Sequence, residues 1–335
     1  MYKRQVQSGR LAEAFLPFGT NIQSLRESSE REVREAHYDH HLQNSVRHGG
    51  NIPAIWAYSS GVQTRVLGLS WSDEVQLILT TAESGVKSIR DLKNRRFGLP
   101  KWANVQIDFT RAQALRGLEN ALRLEGLEVA DVELVDYPYG GTYSDEQKQH
   151  LYGSEVSLGV TRFSRRNNEL IGLLRGDIDA IFLKGAHAVH LANEFGLQVV
   201  VDTGSHPDPL IRSNNGTPRT LTVDTHLLRE HFDASVKIVD TVLRTEQWAW
   251  ANPEETRRFL ARELNTSEYW VAAAYGEDAH RRLRTTLDAR SIEALQDFTD
   301  FLHRWQFIPR RFDVREWIDF SVLETVIGST SRVAV

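Results

Sequence analysis

The chain has 335 residues, with 40 lysines and arginines against 45 aspartates and glutamates, a net charge of −5 and no cysteine. That charge excludes a nucleic-acid binder held mainly by phosphate contacts, and the missing thiols exclude disulfides, thiolate zinc sites, iron–sulfur clusters and a cysteine nucleophile within these residues. Hydrophobic residues at 41% and charged residues at 25% suit a globular chain long enough for two domains, and no apolar run approaches the about 18–20 residues of a membrane span.

In chain order, residues 11–18 read as the end of a helix and 21–25 as a short strand. Residues 51–58 start a helix, with Pro53 in its first turn. Apolar runs at 64–69 and 75–80 predict strands, 88–94 a short helix, and 96–99 a strand halted at Pro100. Helical periodicity covers 105–123 and stops before Gly126, a C-capping residue. Further strands fall at 131–135, 178–183 and 197–201. Unbroken apolar runs of this kind suit a parallel sheet buried on both faces. A Gly/Tyr/Pro loop spans 137–144, and residues 203–220, with Gly204, Pro207, Pro209, Gly216 and Pro218, read as a linker. A strand at 220–224 follows, then helices at 233–251, 253–264, 267–274, 290–305 and 314–325. The alternation is an α/β pattern. It splits into one lobe of 1–99 plus 221–335 and a second of 100–220, with an interlobe cleft as the ligand site.

Several side chains invite a functional reading beside a plainer one. His37, His40, His41 and His48 cluster, and pairs spaced i, i+3 or i+4 can share a helix face and ligate a metal. With only Glu35 and Asp39 nearby and no HExxH pattern, a solvated polar segment outweighs a metal site. Arg47 read alone is a surface or ion-paired arginine. Gly49-Gly50 ahead of Ile52-Pro53 reads as a turn into a helix, whose N-terminus attracts anions. Trp71 and Trp102 suit either cleft lining or core packing, and Tyr137, Tyr139 and Tyr143 either a lid or a cover over core. Phe298, Phe301, Trp305 and Phe307 read as helix-packing core, and Arg95-Arg96, Arg165-Arg166, Arg281-Arg282 and Arg310-Arg311 as solvated faces. The glycine patterns of dinucleotide, nucleoside-triphosphate and α/β-hydrolase sites do not occur. Residues 1–10 lack the apolar core of a signal peptide. Met1-Tyr2-Lys3-Arg4-Gln5 resembles the translation of a sequencing-library adapter, so the natural start is expected upstream.

The stretch Asp91-Leu92-Lys93-Asn94-Arg95-Arg96-Phe97-Gly98-Leu99-Pro100 resembles the DLKGKKIGV signature of periplasmic-binding-protein-like folds, and Leu174-Arg175-Gly176-Asp177-Ile178-Asp179-Ala180 resembles their L..GDVDA signature. Together they are similar to the sulfonate/nitrate/taurine-binding group, which also holds thiamin-precursor synthases. This resemblance implies an α/β, two-lobe periplasmic-binding-protein-like (type II) fold with an interlobe cleft. It leaves the chemistry open.

His37, nine residues, then Arg47-His48-Gly49-Gly50-Asn51-Ile52-Pro53 resembles the 2'-hydroxybiphenyl-2-sulfinate desulfinase family, which has a His, nine residues, then Arg-Phe-Gly-Gly-Glu-Ile-Pro. The similarity continues at Asp131-Val132-Glu133-Leu134-Val135, Val201-Asp202-Thr203-Gly204, 275–283 and 313–317, at low overall identity. The resemblance implies cleavage of a carbon–sulfur bond with release of sulfite, without cofactor or metal, by a Cys, a His and an Arg. It places His37 as the catalytic histidine, Arg47 as the anion-holding arginine and Gly49-Gly50 at the ligand, with a backbone N–H of Gly50 on the oxyanion. From their positions in the sequence, and not from this resemblance, Trp71 and Trp102 are candidate ligand contacts. Counted back from His37, the family cysteine falls near Arg4 or upstream. Three readings stay open: a desulfinase-like hydrolase whose cysteine precedes these residues, a solute-binding protein that never had it, or a hydroxyl such as Ser8 in its place. The partners implied are a small anionic organosulfur ligand and, for a solute-binding protein, an ABC permease; the compartment is cytoplasmic for an enzyme and periplasmic or lipid-anchored for a binding protein. A thiamin-precursor enzyme would require a cysteine-rich motif that the chain does not contain.

Overall fold

In the computed structural model the described residues are 9–25, 28–141 and 167–333. The segment 1–5, Ser8, Tyr143 and Arg165-Arg166 lie outside them. The chain divides into two compact units, one of Met1–Asp73, Asn215–Ala272 and Gly276–Val335, the other of Glu74–Asn214 and Ala273–Tyr275. The described strands are β1 (Val46–Gly49), β2 (Thr64–Ser70), β3 (Gln76–Thr80), β4 (Arg96–Trp102), β5 (Glu133–Tyr139), β6 (Ala180–Lys184), β7 (Gln198–Asp202), β8 (Arg219–Asp224) and β9 (Thr285–Thr286).

The first unit holds an antiparallel sheet in the order β1-β8-β2-β9. β8 is central: Thr222 and Thr220 face Arg47 and Gly49 of β1, and Arg219 faces Ser70 of β2. Leu67, Leu221 and Val223 pack with Ile238, Val239 and Val242 of helix Phe232–Ala251 and with Val322 and Val326 of helix Ser321–Val333. Trp317 is fully buried, stacks on Tyr58 at 5.3 Å and donates its indole N–H to Thr64 Oγ1 at 3.0 Å. That bond meets the one polar demand a buried tryptophan makes.

The second unit holds a five-stranded sheet in the order β5-β4-β6-β3-β7. β4 runs parallel to β5 and β6, whereas β3 runs antiparallel to β6 and β7. The sheet is therefore mixed, not parallel as its apolar runs suggest. An apolar run reports burial on both faces, and β3 is buried in either direction. Residues 74–99, grouped with the first lobe on sequence, supply β3 and β4 to this sheet.

The two signature motifs touch. Asp179 accepts from the backbone N–H of Arg96 at 2.9 Å and from its Nε at 3.2 Å. A Cβ on Gly98 would lie 2.3 Å from Ile178 Cδ1, so glycine there is required by the close approach of the motifs. Asp91 caps the 3-10 turn Ile89–Leu92, its carboxylate accepting from the Ser88 N–H at 2.8 Å. The Lys87 N–H, together with the Ser88 hydroxyl and N–H, holds its pKa below the ordinary carboxylate value.

Four other expectations need correction. The helix expected over 105–123 is Phe109–Arg123, because Asp108 Oδ1 accepts from the Arg111 N–H at 3.0 Å and sets the start. Residues 21–25 form no strand, and the short helix at 88–94 is a 3-10 turn. The "linker" 203–220 is a buried strap, with Thr203, Ser213, Asn214 and Thr217 inaccessible. Its carbonyls are met by side chains: Arg116 Nε donates to Ser213 O at 3.2 Å, Asn120 Nδ2 to Ile211 O at 2.8 Å and Gln76 Nε2 to Arg212 O at 2.8 Å. Glycine and proline marked its turns correctly but did not show that donors elsewhere would satisfy its backbone.

Candidate functional site

β1 ends at Gly49, and Gly50 is the N-cap of helix Asn51–Ser59. Gly50 brings no side chain to the cap, so the opening N–H groups of that helix look elsewhere for acceptors. Ile52 N–H donates to Asn215 Oδ1 at 3.4 Å, and Asn51 Nδ2 donates to Pro218 O at 2.9 Å. The segment 215–218 is thereby fastened to the first turn of the helix. Its amide lies against Gly50 so closely that a Cβ there would sit 2.3 Å from Asn215 Oδ1.

Arg47 is buried on β1, and its guanidinium links two backbone segments. Nε donates to the carbonyl of His37 at 3.0 Å and Nη1 to the carbonyl of Gly50 at 2.5 Å. His37 lies in the last turn of helix Arg31–Asp39, where a cation also complements the helix dipole. The fold thus brings His37, Arg47, Gly49 and Gly50 together, and the His37–Arg47 link runs through the His37 backbone. The half-buried His37 ring stands edge-on to Tyr38 at 5.1 Å. A Cβ on Gly49 would lie 3.3 Å from Arg47 Nη2.

On the other face of β1, the buried His48 places Nε2 2.9 Å from Ser70 Oγ. Burial, with the positive charges of Arg219 and Arg47, holds its pKa well below the histidine range, so the ring is neutral. Arg219 Nε donates to Ser72 Oγ at 3.1 Å. His48 Nδ1, Thr217 Oγ1 and Thr220 Oγ1 are buried with no hydrogen-bond partner among the described residues.

Trp71 follows β2 and donates its indole N–H to Ser291 Oγ at 2.9 Å. Trp102 belongs to the second unit, is buried and stacks on Tyr139 at 4.9 Å. The clustered histidines do not share a face: His40 ends the helix in left-handed conformation and is buried, His41 pairs with Asp39 at 2.5 Å, and His48 is on β1. Among the described residues no group of three or more His, Asp or Glu side chains is disposed to hold a metal ion. Ser70, Asn215, Thr217 and Thr220 had no sequence signal, since each reaches the site through sheet pairing or a distant loop.

No protein-family model and no curated relative matches the chain. Solved structures do. A point mutant of the desulfurization enzyme DszB in complex with biphenyl-2-sulfinic acid matches with a TM-score of 0.72 at 22% identity, over 96% of this chain and 94% of that one. SsuA, a periplasmic sulfonate-binding protein from Methylobacillus flagellatus KT, matches at 0.63 and 14% identity over 89% and 78% of the two chains. The alkanesulfonate-binding SsuA from Xanthomonas axonopodis pv. citri, bound to MOPS, matches at 0.61 and 14% identity over 94% and 92%. The chain has the two-lobe, periplasmic-binding-protein-like α/β fold. Both a desulfurization enzyme and sulfonate-binding proteins share it, and among the described residues no helix is long and apolar enough to cross a membrane.

Proposed function

We propose that the chain is desulfinase-like and holds a small organic sulfinate at the turn from β1 into helix Asn51–Ser59. The observation that carries this reading is the joining of His37, Arg47 and Gly50 by two Arg47 hydrogen bonds, at 3.0 and 2.5 Å. Those are the residues that the desulfinase resemblance assigns to the anion, and the matched DszB structure carries biphenyl-2-sulfinic acid. The physics is favourable: Arg47 sets a fixed positive charge beside the turn, Gly50 puts no side chain of its own between the backbone and an oxyanion, and a helix N-terminus adds partial positive charge. His37 is the proposed proton donor or orienting group. Trp71 covers the carbon skeleton.

Carbon–sulfur cleavage in this reading is the work of a cysteine thiolate, and none of the 335 residues is a cysteine. In this reading these 335 residues bind the sulfinate and do not turn it over. Calorimetric titration with biphenyl-2-sulfinate tests the reading. One saturable site with no sulfite released is the expected result, and no heat with any sulfinate or sulfonate rejects it. A second reading, favoured by the SsuA matches and the absent thiol, is a solute-binding protein for sulfonate-like anions that delivers them to a permease. Under it, alkanesulfonates bind more tightly than the aryl sulfinate.

A further inference from the structure

Resting on the sulfinate or sulfonate reading of this site, we propose that Asn215 sets its selectivity by occupying, in the empty protein, the place of the ligand's oxyanion. Three observations support this. The Asn215 amide packs on Gly50, with Oδ1, Cγ and Nδ2 at 2.3, 2.9 and 3.1 Å from where a Cβ would be. Its Oδ1 accepts the Ile52 N–H at 3.4 Å, which is long for an N–H···O bond, and Gly50 offers no cap of its own. Thr220, fully buried and opposite Gly49 in the strand register, carries a hydroxyl with no partner among the described residues. The Asn215 amide thus meets the turn through a long hydrogen bond, and a buried hydroxyl without a described partner stands opposite Gly49 in the sheet register.

A neutral amide oxygen is a poorer acceptor for helix N–H groups than a charged oxygen, by the same margin that separates neutral from charge-assisted hydrogen bonds. An organic sulfinate or sulfonate displaces the Asn215 amide; a neutral sulfone, of similar shape, does not. Asn215 is half-buried, in a turn that continues through Gly216 at φ +88°. The displaced amide needs no covalent change and no proton.

Titration of benzenesulfinate, methanesulfonate and dimethyl sulfone into the wild-type chain and two variants tests this. Asn215→Ala removes the competitor, and its anion affinity is expected to rise about three- to tenfold, with detectable sulfone binding. Asn215→Asp seats a permanent anion at the turn: affinity is expected to fall more than tenfold while the melting temperature rises. An Asn215→Ala chain that binds these anions equally or more weakly than wild type overturns the role of Asn215 and leaves the anion site standing. A wild-type chain that binds none of the anions overturns both. Nuclear magnetic resonance on the wild type needs no variant to fold: benzenesulfinate should shift the Ile52 amide and the Asn215 side-chain amide together. A shift at Ile52 with Asn215 unmoved contradicts the displacement.

Discussion

β2 runs out at Ser70-Trp71 and β4 at Trp102, so each sheet delivers an indole at a strand end. Their surroundings differ. Trp102 stacks on Tyr139, whose hydroxyl donates to Glu169 at 2.5 Å and accepts from the Asn168 N–H at 2.8 Å. Around Trp71 the neighbouring strand ends leave His48 Nδ1, Thr217 Oγ1 and Thr220 Oγ1 buried and unpartnered among the described residues. A closed hydrogen-bond chain stiffens a fold, whereas buried groups without partners cost stability unless something else uses them. The Trp102 end is thus closed within the fold, whereas the Trp71 end keeps buried polar groups that the proposed ligand would use.

The largest expected effect falls on the closed end. Trp102→Ala removes a buried indole and its stack, and should lower unfolding free energy by about 4 kcal/mol in urea titrations. Less than about 1 kcal/mol would show that Trp102 is poorly packed and free for other use.

Next comes Glu246, buried in the first unit and accepting from the Thr285 N–H at 3.1 Å and its hydroxyl at 2.5 Å. Burial raises its pKa to about 7, against the opposing pull of the Thr285 bonds. A carboxyl raised on folding favours the protonated form. Stability is therefore fully present below the unfolded value of 4.5 and is lost as pH rises through about 7. The loss amounts to about 3 kcal/mol at most. Glu246→Gln should remove most of that slope in denaturant titrations across this window. A smaller slope of the same sign should persist, because burial also raises Glu169 in the second unit.

Arg47→Ala should cost about 2 kcal/mol of stability, since two backbone carbonyls lose their charged donor. It should also weaken sulfinate binding at least tenfold. A stability loss with unchanged affinity would reduce Arg47 to a brace between helix Arg31–Asp39 and the Gly50 turn. The smallest effect is Ser70→Ala: it takes the His48 Nε2 partner away and should cost about 1 kcal/mol, read as a lower melting temperature.

The fold was legible because its signatures mark residues that must touch. Arg96, Gly98, Ile178 and Asp179 meet where β4 and β6 pair, so their identities are constrained by contact and survive as pattern. The candidate site was proposed from one segment only. His37, Arg47, Gly49 and Gly50 stand within a short stretch, and the resemblance pointed to them there. Asn215 and Pro218 reach the same turn from 163 and 167 residues away, and no local period announces such a meeting. Strand direction escaped for a related reason: the apolar run of β3 records burial on both faces, which is the same whether its neighbours run with it or against it.

A crystal structure of the chain grown with biphenyl-2-sulfinate would locate the organic sulfinate proposed at the Gly50 turn beside Arg47. Its sulfinate oxygens are expected within hydrogen-bond reach of the Gly50 N–H and the Arg47 guanidinium, with the Asn215 amide moved off Gly50. A ligand seated elsewhere, with Asn215 still on Gly50 and Ile52, would contradict that placement.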